Sequence, residues 1–184
     1  MFQQLSTAYA EPSRAYHNIE HIRACLAEFD ECRELARHPE EVEAALWFHD
    51  AVYVPGAADN EEQSARLAES ALRSHGVAAE VTQRIGDLVR ATQHVTLLQE
   101  PDAQLLCDID LAILGREPAV FDRFESQIRR EYGWVPESLY RRSRSAILAR
   151  LLGRASIYQT RRFTERYEGP ARRNLKRMLT TLSS

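Results

Sequence analysis

Seven prolines divide this 184-residue chain into segments of roughly helical length. The residues between them are rich in Ala, Leu, Glu, Arg and Gln, which have high helix propensity. Alternating runs of β-branched residues are nearly absent, and no Asn-Gly or Asp-Gly dipeptide marks a hairpin turn. Little of the sequence can therefore form a sheet, and we predict an all-α protein of about eight to ten helices.

Apolar residues recur at helical spacing in several of these segments. Two such stripes are Ile22, Leu26, Phe29 and Cys32, and Val81, Ile85, Leu88 and Ala91. Residues 53–60 (YVPGAADN) are predicted to form a loop. The Gly169-Pro170 pair is expected to end one helix and to begin the next.

Composition narrows the class of protein further. Hydrophobic residues make up 44% and charged residues 28% of the chain, which excludes bulk disorder and favours one globular domain over residues 1–184. The three Cys include no CxxC pair, which argues against a disulfide scaffold or a zinc finger. No apolar run approaches the roughly 18 residues of a membrane span, and no secretory signal is evident. We expect a cytoplasmic protein without membrane association.

The net charge of −3 hides a division along the chain. Residues 1–140 carry a net charge of −13 and all six His, whereas residues 141–184 carry +10 and no His. The basic part could be a nucleic-acid surface, a rim that attracts anionic substrates, or a solvated face partly paired with the acidic part. The pI of about 6.1 disfavours a nucleic-acid partner. We expect the basic part to pack on the acidic part within one domain.

Four short segments combine His with carboxylates or amides. They are residues 16–22 (YHNIEHI), 47–50 (WFHD), 59–65 (DNEEQSA) and 105–111 (LLCDIDL). His17 and His21 are four residues apart and would share one helix face. Asp50 and Asp110 lie in apolar sequence, where an ionised carboxylate is costly unless it is paired or bound to a metal. Two His and two Asp from three helices would suit one divalent ion such as Mn, Fe, Co, Ni or Zn.

Structural roles compete with this interpretation. A His on a half-apolar face is more often hydrogen-bonded within the fold than bound to a ligand. Asp108 could be a helix cap. Asn60 could be an N-cap with Gln63 at the capping-box position, and Glu61 and Glu62 would then simply occupy the first turn of a helix.

The order of these motifs resembles the HD superfamily of metal-dependent phosphohydrolases, which is named for a His-Asp doublet, here His49-Asp50. The ligand pattern of that superfamily is a first His, the doublet and a distant Asp, and His21, the doublet and Asp108 or Asp110 follow this order. The match is closer to a compact, bacterial-type branch and extends over nearly the whole chain. Further matching segments are residues 16–21, 60–65, 108–115, 128–132, 157–160 and 171–175.

The resemblance implies an HD-type helical bundle that holds one divalent ion, with Mg²⁺ also among the candidates. It implies His21, His49 and Asp50 as ligands. Asp110 is favoured as the last ligand, and Asp108 would then be a second acid behind it or a cap.

The implied reaction is hydrolysis of a phosphoester or phosphoanhydride in a nucleotide or another small phosphorylated metabolite. The ion would polarise a phosphoryl oxygen and activate water. Together with the catalytic Asp50, Glu61 or Glu62 and the neighbouring Asn60 would position that water or take its proton. Residues expected to contact the substrate or to orient the ligands are Arg14, His17 and His94.

Two other functions stay open at this point. The second His pair of two-metal HD branches is not clearly present, so the chain could be a regulatory module that binds a nucleotide without turnover. The Arg-rich end could instead make it a nucleic-acid-binding helical protein. A homodimer would be unremarkable, because symmetric dimers are common.

Overall fold

The computed structural model describes residues 2–95 and 98–183, with side chains from Leu5 onward in those ranges. Within these residues the chain forms nine α-helices and two short 3-10 helices, and it forms no strand. The prediction of an all-α protein with eight to ten helices is therefore confirmed. Among the described helices, none combines the length and the apolar character that crossing a membrane requires.

The contacts divide the chain into two compact units, of which the first ends at Asp110 and the second begins at Leu111. This boundary lies well before residue 141, where the sequence turns basic. By sequence, the first unit carries a net charge of −12 and the second a net charge of +9. The organisation as one domain, with the basic part packed on the acidic part, stays a prediction.

The helix α3 is central to the first unit. The helices of this unit are α1 (Phe2–Tyr9), α2 (Ile19–Asp30), α3 (Pro39–Phe48), α4 (Asn60–Ser74), α5 (Ala79–Ala91) and α6 (Pro101–Asp110), with a 3-10 turn at Arg33–Leu35. α3 packs against α2, α4, α5 and α6, and its Val42, Ala45 and Leu46 are fully buried. A helix that is covered on several sides needs an apolar sequence, and it carries the residues at its end into the interior.

Local sequence sets the beginnings of two helices that carry site residues. Asn18 caps α2, because its side chain accepts a hydrogen bond from the N–H of Glu20 at 2.9 Å. Pro39 is the first residue of α3, where its missing N–H costs nothing. These two features set where α2 and α3 begin.

The described residues of the second unit form three α-helices. They are α7 (Pro118–Glu131), α8 (Glu137–Leu152) and α9 (Arg161–Ser183), preceded by a 3-10 segment at Leu111–Gly115. α9 packs against α8 and against the 3-10 segment. The buried Asn174 of α9 donates from Nδ2 to the carbonyls of Leu114 at 2.9 Å and Arg116 at 2.8 Å. This amide therefore ties the start of the unit to its last helix.

The predicted helix boundary at Gly169-Pro170 is wrong, because α9 continues through Pro170. A proline inside a helix removes one backbone hydrogen bond and costs about 3 kcal/mol. The buried face of α9 is unbroken on both sides of the proline, since Phe163, Tyr167 and Ala171 are all buried. We attribute the continuous helix to the burial of this face, which outweighs the local cost.

The predicted loop at residues 53–60 is present but ends one residue earlier, because α4 already begins at Asn60. Asn60 is therefore not the N-cap, a position that Asp59 occupies. The Asn60 side chain instead accepts from the N–H of Val54 and donates to its carbonyl, both at 3.0 Å. It closes the loop between α3 and α4, and Gln63 donates to the Asp59 carboxylate at 3.0 Å.

Candidate metal centre

Three segments of the first unit bring four ligand-type side chains to one point. His21 lies on α2, His49 and Asp50 directly follow α3, and Asp110 is the last residue of α6. The Nε2 atoms of His21 and His49 are 3.1 Å apart. Asp50 Oδ2 lies 3.4 Å from His21 Nε2 and 3.1 Å from His49 Nε2, and Asp110 Oδ1 lies 3.2 Å and 3.7 Å from the same two atoms. The structure thus brings together four of the five predicted ligands.

These separations are compatible with donor atoms around a single ion. Metal–nitrogen and metal–oxygen bonds of about 2.1 Å place neighbouring donors about 3.0 Å apart at a right angle and about 3.4 Å apart at the tetrahedral angle. The measured separations run from 3.1 to 3.7 Å. Two imidazoles and two carboxylates are also the donor types that first-row divalent ions accept. The residues present therefore fit the cation that the sequence predicts.

The cluster is buried on its imidazole side and more open on its carboxylate side. His21 and His49 are 5% and 2% exposed, whereas the side chains of Asp50 and Asp110 are 17% and 19% exposed. Solvent therefore reaches the cluster along the carboxylates. A small ligand would approach from the same side.

Hydrogen bonds behind the cluster orient two of its members. His49 Nδ1 lies 2.8 Å from the carbonyl oxygen of Leu46, which can only accept, so Nδ1 carries a proton and Nε2 of the neutral ring presents its lone pair to the cluster. His94 Nε2 lies 2.8 Å from Asp110 Oδ2, while Oδ1 of the same carboxylate is turned to the cluster. Outer bonds of this type hold metal ligands in place in known metalloproteins.

His94 holds this position with an unusual backbone. Its φ is +54°, in the left-handed region that few residues other than glycine adopt. Such a conformation costs of order 1 kcal/mol and persists only where its surroundings impose it. The predicted role of His94 in orienting a ligand agrees with this placement, and its predicted contact with a substrate stays a prediction.

The four groups shift one another's pKa values so that the two imidazoles favour the protonated form and the two carboxyls favour the ionised form. Burial lowers the pKa of both His, but nearby groups outweigh this effect. Cys25, Tyr16 and the two carboxylates raise the pKa of His21. Asp50 and Asp110 raise the pKa of His49 to about 9. Burial raises the pKa of both carboxyls, but the neighbouring imidazoles hold the pKa of Asp50 and of Asp110 well below its usual range. The ionised carboxylates therefore stabilise positive charge on the neighbouring imidazoles, and they would stabilise a bound cation for the same reason.

Cys25 is a potential ligand that the sequence reasoning missed. Its thiol and the ligand atoms of His21, His49 and Asp110 all lie within 4.8 Å of one another, and this group could hold a metal ion. Cys25 follows His21 by four residues on α2, so the two side chains share a face. That spacing was the available signal, and the apolar surroundings of Cys25 in the sequence concealed it.

Asp108 lies in the last turn of α6 and is almost fully buried, so it is not at the start of a helix as the capping prediction required. Residues two apart on a helix point about 160° away from each other. Because Asp110 faces the cluster, Asp108 points away from it. Between the two acids left open by the sequence, the structure brings Asp110 to the site.

Arg14 supports the His-Asp doublet from behind. Its guanidinium donates to the carbonyls of Asp50 at 2.6 Å and Ala51 at 3.0 Å, at the end of α3, and to that of His17 at 3.3 Å. A fourth bond goes to the Glu11 carboxylate at 3.3 Å. Arg14 is buried and directs these donors to groups of the fold, and its predicted contact with a substrate phosphate stays a prediction. A cation at the C-terminal end of a helix is also favoured by the helix dipole.

His17 lies beside the cluster rather than in it. Its ring stacks on Tyr53, with centroids 4.0 Å apart, and its centroid is 6.1 Å from that of His21. Both His17 and Tyr53 are half-buried. His17 also lowers the pKa of Asp50 by its charge. The predicted substrate contact of His17 would therefore be made at the rim of the cluster.

The three predicted catalytic residues of α4 have different surroundings. Asn60 closes the loop before α4, as described above. Glu62 pairs with Arg90 at 2.7 Å and Arg66 at 2.7 Å, and these hydrogen bonds lower its pKa to about 2. Glu61 is half-buried, and within residues 2–95 and 98–183 its carboxylate makes no ion pair or hydrogen bond.

Part of the basic charge of the second unit is used within that unit. Arg144 makes two hydrogen bonds to the buried Glu125, at 3.0 and 2.6 Å. Arg172 donates to the Glu168 carboxylate at 2.7 Å and to two carbonyls, that of Leu152 at the end of α8, at 2.8 Å, and that of Arg154 just beyond it, at 2.7 Å. These two arginines therefore stabilise the fold. A substitution of Arg172 would disturb these contacts whether or not the protein binds nucleic acid.

Comparison of the chain with models of protein families, with curated proteins and with solved structures finds no match. The resemblance to the HD superfamily consequently stays a prediction from the motifs.

Proposed function

We propose that this chain is a divalent-metal-dependent phosphohydrolase of the HD type that acts on a nucleotide or another small phosphorylated metabolite. The observation that carries the proposal is the convergence of His21, His49, Asp50 and Asp110, in which the two imidazole Nε2 atoms lie 3.1 Å apart and each carboxylate has an oxygen 3.1 to 3.7 Å from both of them. These residues come from distant parts of the chain, and they follow the order of the HD ligand pattern.

A divalent ion held by this donor set would lower the pKa of a coordinated water toward neutrality and neutralise charge on a phosphoryl group. The chain's own contribution is to hold its ligands in fixed orientations. His49 is fixed by Leu46, Asp110 by His94, and the backbone of Asp50 by Arg14. Ligands that are already oriented need little rearrangement when a substrate binds.

Among the predicted catalytic residues of α4, we assign to Glu61 the role of accepting a proton from water. Glu62 is held by two arginines, and its lowered pKa makes it a poor base. Ser64, one turn after Asn60, bonds to the N–H of Val52 at 3.0 Å and to its carbonyl at 3.2 Å. The first turn of α4 is thereby fastened to the segment that directly follows Asp50. Glu61 occupies this turn with its carboxylate unpaired in the described part of the chain.

The proposal is tested first by metal binding and then by turnover. Purified protein should bind one equivalent of Mn²⁺, Co²⁺, Ni²⁺ or Zn²⁺ by titration calorimetry, and His49→Ala should abolish binding. His75→Ala is the matched control, because His75 is exposed and lies outside the cluster. A screen of nucleotides and simple phosphoesters with each metal should then reveal phosphate release that is lost in Asp50→Asn. Equal metal binding by wild type and His49→Ala would remove the proposal.

A non-catalytic nucleotide-binding module is the second candidate. Two groups that the sequence assigned to chemistry or substrate binding, Glu62 and Arg14, are engaged in ion pairs and backbone hydrogen bonds. If the chain is such a module, a nucleotide should bind saturably to the metal-loaded protein, and no phosphate should be released with any of the metals. Calorimetry with the same nucleotides used in the screen separates the two candidates.

A further inference from the structure

The three buried thiols of the chain lie in different surroundings. Cys32 Sγ donates to the carbonyl of Glu28 at 3.2 Å, and Cys107 Sγ donates to that of Ala91 at 3.3 Å, which is ordinary for a thiol inside a helical protein. Cys25 Sγ instead lies beside the imidazole of His21, 3.7 Å from Nδ1 and 3.8 Å from Nε2. One thiol of three is therefore turned to the cluster.

We propose that Cys25 supplies a thiolate donor to the metal centre and makes the centre select Zn²⁺ over Mg²⁺ and Mn²⁺. This inference rests on the metal centre of the proposed function. It adds a thiol to the imidazole and carboxylate donors of the HD pattern. The grouping of Cys25 with His21, His49 and Asp110, with ligand atoms all within 4.8 Å, is the geometric basis.

The distances allow coordination after a small movement of the thiol. A zinc–sulfur bond of about 2.3 Å and a zinc–nitrogen bond of about 2.1 Å place the two donors about 3.1 Å apart at a right angle and about 3.6 Å apart at the tetrahedral angle. Cys25 Sγ is 3.8 Å from His21 Nε2, a few tenths of an ångström beyond that range. Rotation about the Cα–Cβ bond of Cys25 moves its sulfur by more than this difference.

The chemistry of the donor sets the preferred ion. Imidazole and carboxylate alone accept most first-row divalent ions, and carboxylates also suit Mg²⁺ and Mn²⁺. A thiolate is a soft donor that favours zinc, whereas Mg²⁺ takes oxygen ligands in octahedral geometry. A coordinated thiol loses its proton outright, so Cys25 also adds a negative charge at the ion. Without Cys25 the site would accept most first-row divalent ions, and with Cys25 its preference shifts toward zinc and other thiophilic cations.

The test uses Co²⁺, which replaces Zn²⁺ and reports its ligands by absorption. The full-length protein loaded with Co²⁺ should show a thiolate-to-cobalt charge-transfer band in the near ultraviolet together with weaker bands in the visible. Cys25→Ser should lose the near-ultraviolet band and keep the visible ones. The double variant Cys32→Ser/Cys107→Ser is the matched control, and it should keep both, because Cys25 is then its only thiol.

Metal affinities provide a second measurement that does not depend on activity. Loss of a neighbour that merely orients a ligand weakens metal binding about 10- to 100-fold, so loss of a ligand should weaken Zn²⁺ binding at least about tenfold in Cys25→Ser. Binding of Mn²⁺ should change by less than about twofold, since Mn²⁺ gains little from a thiolate. A selective loss of Zn²⁺ affinity supports the inference, and an equal loss for both ions overturns it.

The possible failures are distinguishable. Wild-type protein that binds Co²⁺ with visible bands but without a thiolate band overturns the role of Cys25 and leaves the metal centre of the proposed function intact. Wild-type protein that binds no Co²⁺ overturns both. The wild-type spectrum decides between these outcomes even if a variant fails to fold.

Discussion

The His-Asp cluster of the first unit and the Arg144–Glu125 pair of the second are both buried arrangements of charged groups, but only the pair is complete. Arg144 presents Nε and a terminal nitrogen to the two carboxylate oxygens of Glu125, at 3.0 and 2.6 Å. Each charge has its counter-charge, and the geometry is two-pronged. In the cluster, two imidazole nitrogens and two carboxylate oxygens face one another at 3.1 to 3.7 Å. Lone pairs that converge in this way require protons or a cation between them.

The difference shows how buried charge can serve structure or function. In the Arg144–Glu125 pair each group neutralises and hydrogen-bonds the other, so the pair holds α7 and α8 together and needs no ligand. The cluster depends on what it binds, because its members are fixed by other groups, such as Leu46 and His94. Variants of the two arrangements should therefore have opposite effects on metal binding and on stability.

The largest effect is expected for His49→Ala. This substitution removes one of the two imidazoles, and we expect it to reduce metal affinity by more than about 100-fold, beyond the 10- to 100-fold loss caused by outer-shell changes. Calorimetric titration with Mn²⁺ or Co²⁺ measures the effect, with His75→Ala as the surface control. If the variant bound metal with wild-type affinity, the cluster would be an ordinary buried hydrogen-bond network and not a metal site.

Arg144→Ala should have the opposite signature. It leaves Glu125 buried without its partner, and breaking a buried pair in this way costs about 3 to 5 kcal/mol in the free energy of unfolding. Urea unfolding measures the loss, and metal stoichiometry should be unchanged in the protein that remains folded. The double variant Arg144→Met/Glu125→Gln should recover part of the stability, because neither charge is then left alone. A change in metal stoichiometry in Arg144→Ala would show that the two arrangements are not independent.

The stability that the cluster contributes should depend on pH. The pKa of His49 is about 9 in the folded protein, above its ordinary value of 6.5. The folded state therefore binds this proton more tightly than the unfolded state, and the stability it contributes is fully present below about pH 6.5 and is lost as the pH rises through about 9. Urea unfolding of chelator-treated protein should show this decline, and His49→Ala should reduce it.

Metal affinity should change in the opposite direction over the same range. Binding displaces the protons of the cluster, so affinity should rise between about pH 6.5 and 9, by at most about tenfold per pH unit for each proton displaced. Calorimetry in two buffers of different ionisation enthalpy measures the protons released. An affinity that is independent of pH would contradict the placement of the ion among these groups.

The smallest effect is expected for His94→Gly. Glycine adopts φ +54° without strain, so this variant keeps the backbone and removes only the side chain that holds Asp110 Oδ2. Metal affinity should fall about tenfold, while the melting temperature stays equal to that of wild type or rises slightly. His94→Gln should recover part of the affinity, since its amide can still donate to Asp110. A purely structural His94 would instead lower the melting temperature and leave metal affinity unchanged.

Local sequence predicted the fold class well and the helix ends less well. High helix propensity and proline spacing are local properties, and they indicated an all-α chain. The end expected at Gly169-Pro170 failed, because the buried face formed by Phe163, Tyr167 and Ala171 extends past the proline. Asp59 and Asn60 are both good caps, and local sequence cannot tell which of two adjacent candidates will take the position.

The candidate site was predicted only in part, because local sequence shows which residue types are present but not which of them meet in the fold. Residue types indicated Asp50 and Asp110, because acids in apolar sequence need a partner, and the resemblance to the HD superfamily implied His21 and His49 as ligands. Arg14 was assigned to a phosphate, since nothing in the sequence shows that the carbonyls at the end of α3 come within its reach. Cys25 was overlooked, because a thiol in an apolar helix is usually part of the core.

The sequence by itself determined which donor groups exist and that helices carry them. Helix propensity and side-chain chemistry depend on each residue and its close neighbours. The tertiary structure decided which donors meet: Asp110 rather than Asp108, with Cys25 close to His49 and Asp110 as well as to His21. It also decided that Arg14 holds the fold while Glu61 stays unpaired in the described part of the chain. Those outcomes depend on how α2, α3, α4 and α6 pack, and packing is set by contacts between residues far apart in the chain.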